Sequence, residues 1–155
     1  MFLVDEAFYE YAQVNSKYQS ALKLIKQGQH NVVITRIFLK VYGTAGMRIG
    51  YGISTPSTAQ KIRPFAAGNN LSIAGLAGAS ASLKDEEFYT YSLNSNQQEK
   101  SILLSTLDEL QRDYIPSDTY FVLHEIATDL SVYADRMKQQ WVAKCFYRTI
   151  RIAYL

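Results

Sequence analysis

The sequence predicts an α/β fold, and three features support this prediction. A short apolar run from Phe2 to Val4 ends in the carboxylate of Asp5. A second run, from Asn31 to Phe38, is continuous enough to form a strand buried on both faces, as the strands of a parallel sheet are. Segments with helical spacing separate and follow these runs, and such alternation is typical of α/β proteins.

The region before residue 60 contains a predicted helix between those two strands, and a further strand and helix after them. Ser16 or Ser20 is a candidate N-cap for a short helix that ends near Gly28. A third strand is expected from Met47 to Ile53. Pro56 then begins another helix, because proline is favoured in the first helical turn.

The region after residue 60 has mainly helical spacing. Small residues predict a helix from Ile73 to Leu83, and a long amphipathic pattern follows from Asp85 to Leu110. An apolar strand is expected from Tyr120 to Ile126. A last helix begins after Thr128 or Asp129, either of which can act as its N-cap. The expected order is therefore helix, helix, strand and helix.

The composition limits the classes of function. With 155 residues, of which 48% are hydrophobic, the chain is long enough to build a compact core. A net charge of +2 is too small to predict binding to nucleic acid, and no apolar stretch is long enough to span a membrane. The single cysteine, Cys145, excludes an internal disulfide and suits a reducing, cytoplasmic environment. We predict no metal site, no nucleic-acid partner and no membrane association.

The segment from Thr35 to Gly52 is the strongest candidate for a functional site. Its strand leads to a single lysine, Lys40, and Gly43, Gly46 and Arg48 follow at short offsets. A lysine at a strand end can serve as a nucleophilic amine, and glycines allow the backbone to turn tightly beside a ligand. Taken alone, the same pattern also describes an ordinary β-hairpin with a lysine at its end.

This segment resembles the cofactor-lysine segment of the fold-type I aminotransferases that use pyridoxal 5'-phosphate, most closely the histidinol-phosphate aminotransferases. Two other segments match the same family in the correct order. Residues Phe2 to Phe8 resemble its V-D-E-A-Y motif, and Thr149 to Tyr154 resemble its late L-R-I-S strand. Arg63 to Phe65 resemble the R-x-P-F at the crossing between the family's two domains. The resemblance covers nearly all of the chain but only the second half of a typical member.

The resemblance implies a role for four side chains. Lys40 would be the catalytic residue that forms a Schiff base with pyridoxal 5'-phosphate, and Arg48 would bind the cofactor phosphate. Asp5 would pair with the pyridinium nitrogen and keep it protonated, so that the ring can withdraw electrons. Arg151 would bind the substrate carboxylate, a task suited to the two parallel donors of a guanidinium.

The implied fold is α/β, as the C-terminal part of a fold-type I transferase. Three strands of the large-domain sheet would lie in a partial, cofactor-binding large domain at residues 1–60, and residues 61–155 would form an α+β small domain. The implied reaction moves an amino group between an amino acid or amino phosphate and a 2-oxo acid. Decarboxylase or lyase chemistry is the neighbouring option on the same scaffold. The implied protein partner is a second copy, in a homodimer, or a missing N-terminal half.

Several positions depart from the family pattern. Ile37 and Leu39 stand where the family has hydroxyl residues that help to bind phosphate, and Phe8 stands where it has the tyrosine that contacts the ring hydroxyl. Trp141 and Cys145 fall where the family has a glycine at a helix end and a glycine-containing loop. Each missing hydrogen bond near the cofactor weakens its binding by about 0.5–1.5 kcal/mol.

These departures, together with the missing first half, predict a protein that is weak or inactive alone. The chain begins at Met1 and enters a strand at once, which we interpret as a truncated version of a longer fold. The alternative is a catalytically dead aminotransferase fragment that persists as a remnant or as a partner-binding piece. Unpaired sheet edges and uncovered apolar faces would then need another chain to cover them.

The remaining candidates have simpler interpretations. His124 is expected to be a core or edge residue, and His30 a solvated loop residue at the start of a strand. The acidic run Asp85 to Glu87 is expected in the first turn of a helix, where the helix dipole favours negative charge. Tyr9 follows Phe8, but the shift of one residue should direct its hydroxyl elsewhere.

Overall fold

A computed structural model describes residues 1–66 and 71–140 of the chain. The first part contains a three-stranded sheet of β1 (Phe2–Asp5), β2 (Val32–Ile37) and β3 (Gly50–Ile53), in that order across the sheet. β1 and β2 are parallel, whereas β3 runs antiparallel to β2. All three strands expected from the sequence are present, but the third begins at Gly50 rather than at Met47, because Ala45–Met47 forms a 3-10 helix and Arg48 has a left-handed backbone.

β2 lies at the centre of the sheet and alternates between buried and half-buried side chains. Val32 and Ile34 are 3% and 0% exposed on the first face, but the second face is only half-buried. The expectation of burial on both faces is therefore met on one face only. The neighbouring strand β1 is itself open, since Phe2 and Leu3 are 65% and 69% exposed and point to opposite sides of the sheet.

Three short helices accompany the sheet: α1 (Tyr9–Ala12), α2 (Leu22–Lys26) and α3 (Pro56–Ile62). The hydroxyl of Ser20 accepts a hydrogen bond from the Leu22 backbone N–H at 3.1 Å, which satisfies one of the unpaired donors at the start of α2. Gly28 follows α2 with a φ of +84°, the left-handed conformation that ends many helices. α3 begins at Pro56, as expected, with Thr55 as its N-cap.

His30 fastens the start of α3 to the start of β2. Its ring Nδ1 lies 3.0 Å from the hydroxyl oxygens of both Thr55 and Ser57. The Thr58 hydroxyl donates to the His30 carbonyl at 2.6 Å. His30 is exposed, as expected of a loop residue, but these contacts give it a structural role that the sequence reasoning did not assign.

The second part contains α4 (Ile73–Ser82), α5 (Glu86–Glu109), β4 (Tyr114–Ile115), β5 (Leu123–His124) and α6 (Leu130–Gln139). Asp85 caps α5 by accepting a hydrogen bond from the Phe88 N–H at 2.9 Å. Asp129 caps α6 by accepting one from the Ser131 N–H at 2.8 Å. Both acidic residues therefore act at helix N-termini, as the sequence predicts for Asp85 and offers for Asp129.

The strand expected from Tyr120 to Ile126 is wrong in length, because only the two residues of β5 pair, in an antiparallel ladder with β4. The chain before β5 forms a turn in which the Ser117 hydroxyl lies 2.7 Å from the Thr119 hydroxyl and accepts from the Thr119 N–H at 3.1 Å. Such local hydrogen bonds compete with strand pairing. His124 lies in β5 with its ring edge-on to Tyr133, at a centroid distance of 6.1 Å.

A small core joins the sheet to α4. Phe38, Ile49 and Ala79 are buried together, and Tyr42 packs against them. Gly75 approaches Ile49 so closely that an added Cβ would lie 2.7 Å from the isoleucine side chain. α4 is therefore docked beside the connection between β2 and β3, which contains the lysine and arginine predicted to be functional.

Candidate active site

The predicted site residues of the described region lie at one edge of the three-stranded sheet. Asp5 is the last residue of β1, and Lys40 follows the end of β2, which is parallel to β1. Arg48 precedes β3, whose first residue pairs with the last residue of β2. The carboxyl ends of parallel strands are where open α/β sheets bind ligands. The topology therefore brings all three residues to the edge at which a ligand is expected.

Lys40 is half-buried, and its amine contacts aromatic residues from two distant parts of the chain. Its Nζ donates a hydrogen bond to the Tyr120 hydroxyl oxygen at 2.8 Å. It also lies 5.0 Å from the centroid of the Phe8 ring and 5.2 Å from that of Tyr120, distances at which a ring attracts an ammonium. Within the described residues Lys40 forms no ion pair, so no carboxylate there competes for the amine.

The backbone turn after β2 sets the position of Lys40. Sheet pairing continues one step beyond the strand, with the Phe38 N–H donating to the Ile49 carbonyl at 3.1 Å. The Thr44 hydroxyl donates to the Phe38 carbonyl at 2.5 Å, and the Gly43 N–H donates to the Lys40 carbonyl at 3.0 Å. Gly43 has a φ of +65°, a conformation that would cost a residue with a Cβ about 1–2 kcal/mol. These contacts fix a tight turn immediately after the lysine.

Asp5 ends β1 with an exposed carboxylate. Its Oδ1 accepts a hydrogen bond from the Ala7 N–H at 2.9 Å, while its second oxygen forms no hydrogen bond within residues 1–66 and 71–140. An open cavity of about 570 Å³ lies beside Asp5 and α2, and Lys40 is not among its lining residues. This cavity therefore does not enclose the aspartate and the lysine together.

Arg48 is exposed and has a left-handed backbone, with φ and ψ of 53° and 45°. Its Nη1 donates to the Ala45 carbonyl at 3.2 Å, inside the short 3-10 helix Ala45–Met47. No acidic side chain of the described region pairs with it, so the rest of its guanidinium is available to an anion. Left-handed backbone at a residue other than glycine costs about 1–3 kcal/mol and is concentrated at functional sites.

A buried ion pair beside this site was missed by the sequence reasoning. The Nε and Nη2 atoms of Arg36 donate to Glu6 Oε2 at 3.0 and 2.7 Å, and the Tyr9 ring centroid lies 3.3 Å from the guanidinium carbon. Arg36 lies in β2 and Glu6 directly follows β1, so the pair fastens the two parallel strands together at the site edge. Tyr9 is directed at this arginine rather than at the lysine, as its offset from Phe8 predicted. The sequence feature that could have indicated this ion pair is a single arginine, Arg36, inside an otherwise mainly apolar strand.

The hydrogen bonds around Glu6 keep its carboxylate ionised. Burial alone would raise the pKa of Glu6, but hydrogen bonds from Arg36, Ser20 and the Ala21 N–H outweigh it and hold the pKa below its ordinary value. The Ser20 hydroxyl donates to this carboxylate at 2.8 Å, and the Ala21 N–H donates to it at the same distance. Glu6 therefore links β1 to β2 through Arg36 and also binds the start of α2 through Ser20 and Ala21.

Glu10 lies one turn further along and lacks such compensation. It is only 5% exposed, and its Oε2 has no hydrogen-bond partner among the described residues. Burial raises the pKa of Glu10; its own backbone N–H and the charge of Arg36 oppose the rise, and the charge of Glu6 adds to it. Burial, followed by the charge of Glu10, raises the pKa of Tyr42 to about 12. Tyr42 is therefore protonated at neutral pH.

Other predictions fall outside this region or concern sites of a different kind. Arg151, Trp141 and Cys145 lie outside the described residues, so the substrate-binding role of Arg151 stays a prediction. Residues 1–66 and 71–140 contain no group of three His, Cys, Asp or Glu side chains that could hold a metal ion. In the same ranges, every helix is too short or too polar to cross a membrane.

Comparison with known proteins shows similarity along most of the chain. The family model described as "Aminotransferase class I and II" matches residues 1–150. A histidinol-phosphate aminotransferase of Moorella thermoacetica is 32% identical over 127 residues, which are 82% of this chain and 33% of the relative. The chain thus spans about a third of the length of this relative, and 34% of a similarly named one from Brevibacillus brevis.

Solved structures show the same relation in three dimensions. A protein of Erwinia carotovora atroseptica superimposes with a TM-score of 0.82 and 35% identity, over 88% of this chain and 39% of that one. The histidinol-phosphate aminotransferase of Sinorhizobium meliloti, solved in complex with pyridoxal-5'-phosphate, superimposes with a TM-score of 0.77 and 28% identity. That match covers 89% of this chain and 38% of the other.

Proposed function

Because this chain belongs to the aminotransferase class I and II family, with the fold of the C-terminal part of a fold-type I aminotransferase, we propose that it uses pyridoxal 5'-phosphate. Its reaction would transfer an amino group between an amino acid or amino phosphate and a 2-oxo acid, in the manner of its histidinol-phosphate aminotransferase relatives. The observation that supports this most is the Lys40 amine, which lies at the carboxyl edge of the parallel strands without an ion pair in the described region.

The chemistry of three side chains fits this cofactor. Its aldehyde requires a primary amine, which Lys40 offers. Its ring nitrogen, when protonated, requires a carboxylate, which Asp5 offers with one oxygen unbonded in the described region. Its phosphate requires several N–H donors, and Arg48 uses a single nitrogen, Nη1, to bind its own turn. The three groups match the three functional parts of the cofactor.

The mechanism assigns each side chain a separate task. When bound, pyridoxal 5'-phosphate supplies an aldehyde that reacts with amines and a ring that withdraws electrons from the substrate. Lys40 would provide the amine that holds the cofactor, and its Nζ would move a proton to or from the substrate carbon. Asp5 would hold a proton on the ring nitrogen of the cofactor, and Arg48 would bind and orient its phosphate. Arg151 is proposed to bind the substrate carboxylate.

Cofactor binding is proposed to be weak in this chain alone. Ile37, Leu39 and Phe8 offer no hydroxyl at positions where the family has one. Each lost hydrogen bond costs about 0.5–1.5 kcal/mol, so three of them reduce affinity by roughly one to three orders of magnitude. We therefore expect weak or undetectable transamination by the chain alone.

We propose that a further polypeptide surface completes the site. β1 is an edge strand among the described residues, and its Phe2 and Leu3 side chains are largely exposed. Exposed apolar edges favour association with another chain. The partner would be a second copy, or a polypeptide that supplies the part of the fold that this chain does not span. A partial large domain at residues 1–60, a small domain at 61–155 and a cytoplasmic location belong to the same proposal.

A spectroscopic titration tests the proposed function. Pyridoxal 5'-phosphate is added to the wild-type chain and to the Lys40→Met and Lys61→Met variants, since Lys61 is an exposed lysine of α3. We expect a visible absorption band that bleaches with borohydride in the wild type and in Lys61→Met but not in Lys40→Met. A band of equal intensity in all three proteins would contradict the assignment of Lys40.

The second candidate function is a catalytically dead fragment that acts as a remnant or as a partner-binding piece. The three positions without hydroxyls, Ile37, Leu39 and Phe8, favour it. The same titration separates the two candidates. A folded wild-type chain that develops no cofactor band at saturating pyridoxal 5'-phosphate would favour the dead fragment.

A further inference from the structure

We propose that Tyr120 is the positioning residue of Lys40, brought to the amine by the loop that precedes β5. Its hydroxyl oxygen is 2.8 Å from Lys40 Nζ, although the two residues are 80 positions apart in sequence. This inference rests on the proposed function of Lys40, but the contact itself can be tested without any cofactor.

The ring of Tyr120 is fixed by other aromatic rings. Phe8 lies at a centroid distance of 5.5 Å, and Tyr11 and Phe121 lie edge-on at 5.9 and 5.8 Å. Aromatic pairs at such distances contribute about 0.5–1.5 kcal/mol each beyond their buried area. The Tyr120 residue is 48% exposed, but these three rings border its ring on the buried side, and its hydroxyl meets the Lys40 amine.

The loop that contains Tyr120 is fastened from two sides. From α5, the Lys100 ammonium donates to the Ser117 carbonyl at 2.8 Å and to the Thr119 carbonyl at 3.1 Å. From the turn after α1, the Asn15 side-chain amide donates to the Asp118 carboxylate at 2.9 Å. These bonds involve three consecutive residues directly before Tyr120. The second part of the chain is thereby joined to the amine at the sheet edge.

A phenol hydroxyl suits this position for a chemical reason. It can accept a hydrogen bond from a lysine ammonium and can donate one to the lone pair of the neutral amine. The same contact therefore orients Nζ before and after a proton leaves it. Phe8 borders the amine with a ring that has no hydroxyl, so Tyr120 supplies from a distant loop a hydroxyl that position 8 lacks.

Competitive acetylation measures the contact in the cofactor-free chain. Trace acetic anhydride labels the folded protein, and mass spectrometry gives the labelling of Lys40 relative to the exposed Lys61. Tyr120→Phe retains the ring and removes the hydroxyl. We expect its Lys40 to react roughly threefold to tenfold faster, because the amine loses its hydrogen bond. The control is Tyr91→Phe, at a tyrosine that is 64% exposed, and its Lys40 should react at the wild-type rate.

Tyr120→Phe with native circular dichroism and an unchanged Lys40 rate would show that the tyrosine acts only through its ring, and would overturn the proposal. The fastening of the loop is tested by Lys100→Met, with Lys84→Met at an exposed lysine as its control. Lys100→Met should raise the Lys40 rate in the same direction, whereas equal rates in the two variants would refute the role of Lys100.

Cofactor titration then separates this inference from the function on which it rests. If the wild type binds pyridoxal 5'-phosphate, Tyr120→Phe should bind it roughly threefold to tenfold more tightly, because its amine gives up no hydrogen bond to a phenol when it reacts, with Tyr91→Phe unchanged. Equal affinity in all three proteins would contradict the positioning role. If the wild type binds none, the proposed function fails, and the acetylation rates still decide whether Tyr120 holds the amine.

Discussion

Replacement of Arg36 by methionine should destabilise the protein more than any surface substitution. The guanidinium makes two hydrogen bonds to Glu6 and packs against the Tyr9 ring, and both charged side chains are more than nine-tenths buried. Arg36→Met leaves the carboxylate buried without its partner, and breaking such a pair costs about 3–5 kcal/mol. That loss is a large fraction of the roughly 5–15 kcal/mol by which a typical domain is stable.

Urea denaturation at pH 7, followed by far-ultraviolet circular dichroism, gives the free energy of unfolding. The matched control is the double variant Glu6→Gln with Arg36→Met, which removes both charges of the buried ion pair. We expect the double variant to lose less stability than Arg36→Met alone. A loss below about 1 kcal/mol in Arg36→Met, typical of exposed pairs, would refute the reasoning. An equal loss in the two variants would show that the uncompensated charge is not the cause.

The pH dependence of the free energy of unfolding of the wild type tests the same ion pair independently. The pKa of Glu6 is lower in the folded protein than its ordinary value of 4.5. Its contribution to stability is therefore present above about pH 4.5 and lost as the pH falls through the lowered folded value. In Arg36→Met the main lowering influence is gone, so the difference in stability between wild type and variant should shrink in acid.

Three further predictions concern single residues near the site. Glu10→Gln should stabilise the protein at pH 7, because burial raises the pKa of Glu10 and its ionised form therefore costs stability; thermal melts at pH 4 and pH 7 should show the gain mainly at the higher pH. Gly75→Ala should destabilise by about 1–3 kcal/mol in urea, since its Cβ would meet Ile49 at 2.7 Å. Arg48→Gly should relieve roughly 1 kcal/mol of left-handed strain while weakening cofactor affinity, and a variant that binds pyridoxal 5'-phosphate as well as the wild type would exclude Arg48 as the phosphate ligand.

Features with local signals could be predicted from the sequence. The strand from Val32 is mainly apolar, Pro56 begins a helix, the acidic run from Asp85 begins another, and Asp129 caps a third. Each of these depends on residues within one or two turns of the chain. The sheet-edge position of Lys40 followed from the same kind of signal, because a strand end and its glycines are adjacent in sequence.

Features that depend on distant contacts could not be predicted. The Arg36–Glu6 pair joins residues 30 positions apart, and the Tyr120–Lys40 bond joins residues 80 apart. No spacing rule indicates such partners, since they meet only when strands pair or a loop folds back. The length of β5 failed for a related reason: the hydroxyl of Ser117 binds the backbone locally, so that Tyr120 lies in a turn instead of a strand.

Peptide mapping of the borohydride-reduced adduct determines whether Lys40 is the lysine that binds the cofactor. The full chain is incubated with pyridoxal 5'-phosphate, reduced with borohydride and digested, and each lysine-containing peptide is quantified by mass spectrometry. We expect the added mass to be concentrated on the peptide that contains Lys40, at an occupancy well above that of exposed lysines such as Lys61. Equal labelling of Lys40 and the exposed lysines, or labelling that spares Lys40, would show that Lys40 is not the cofactor lysine.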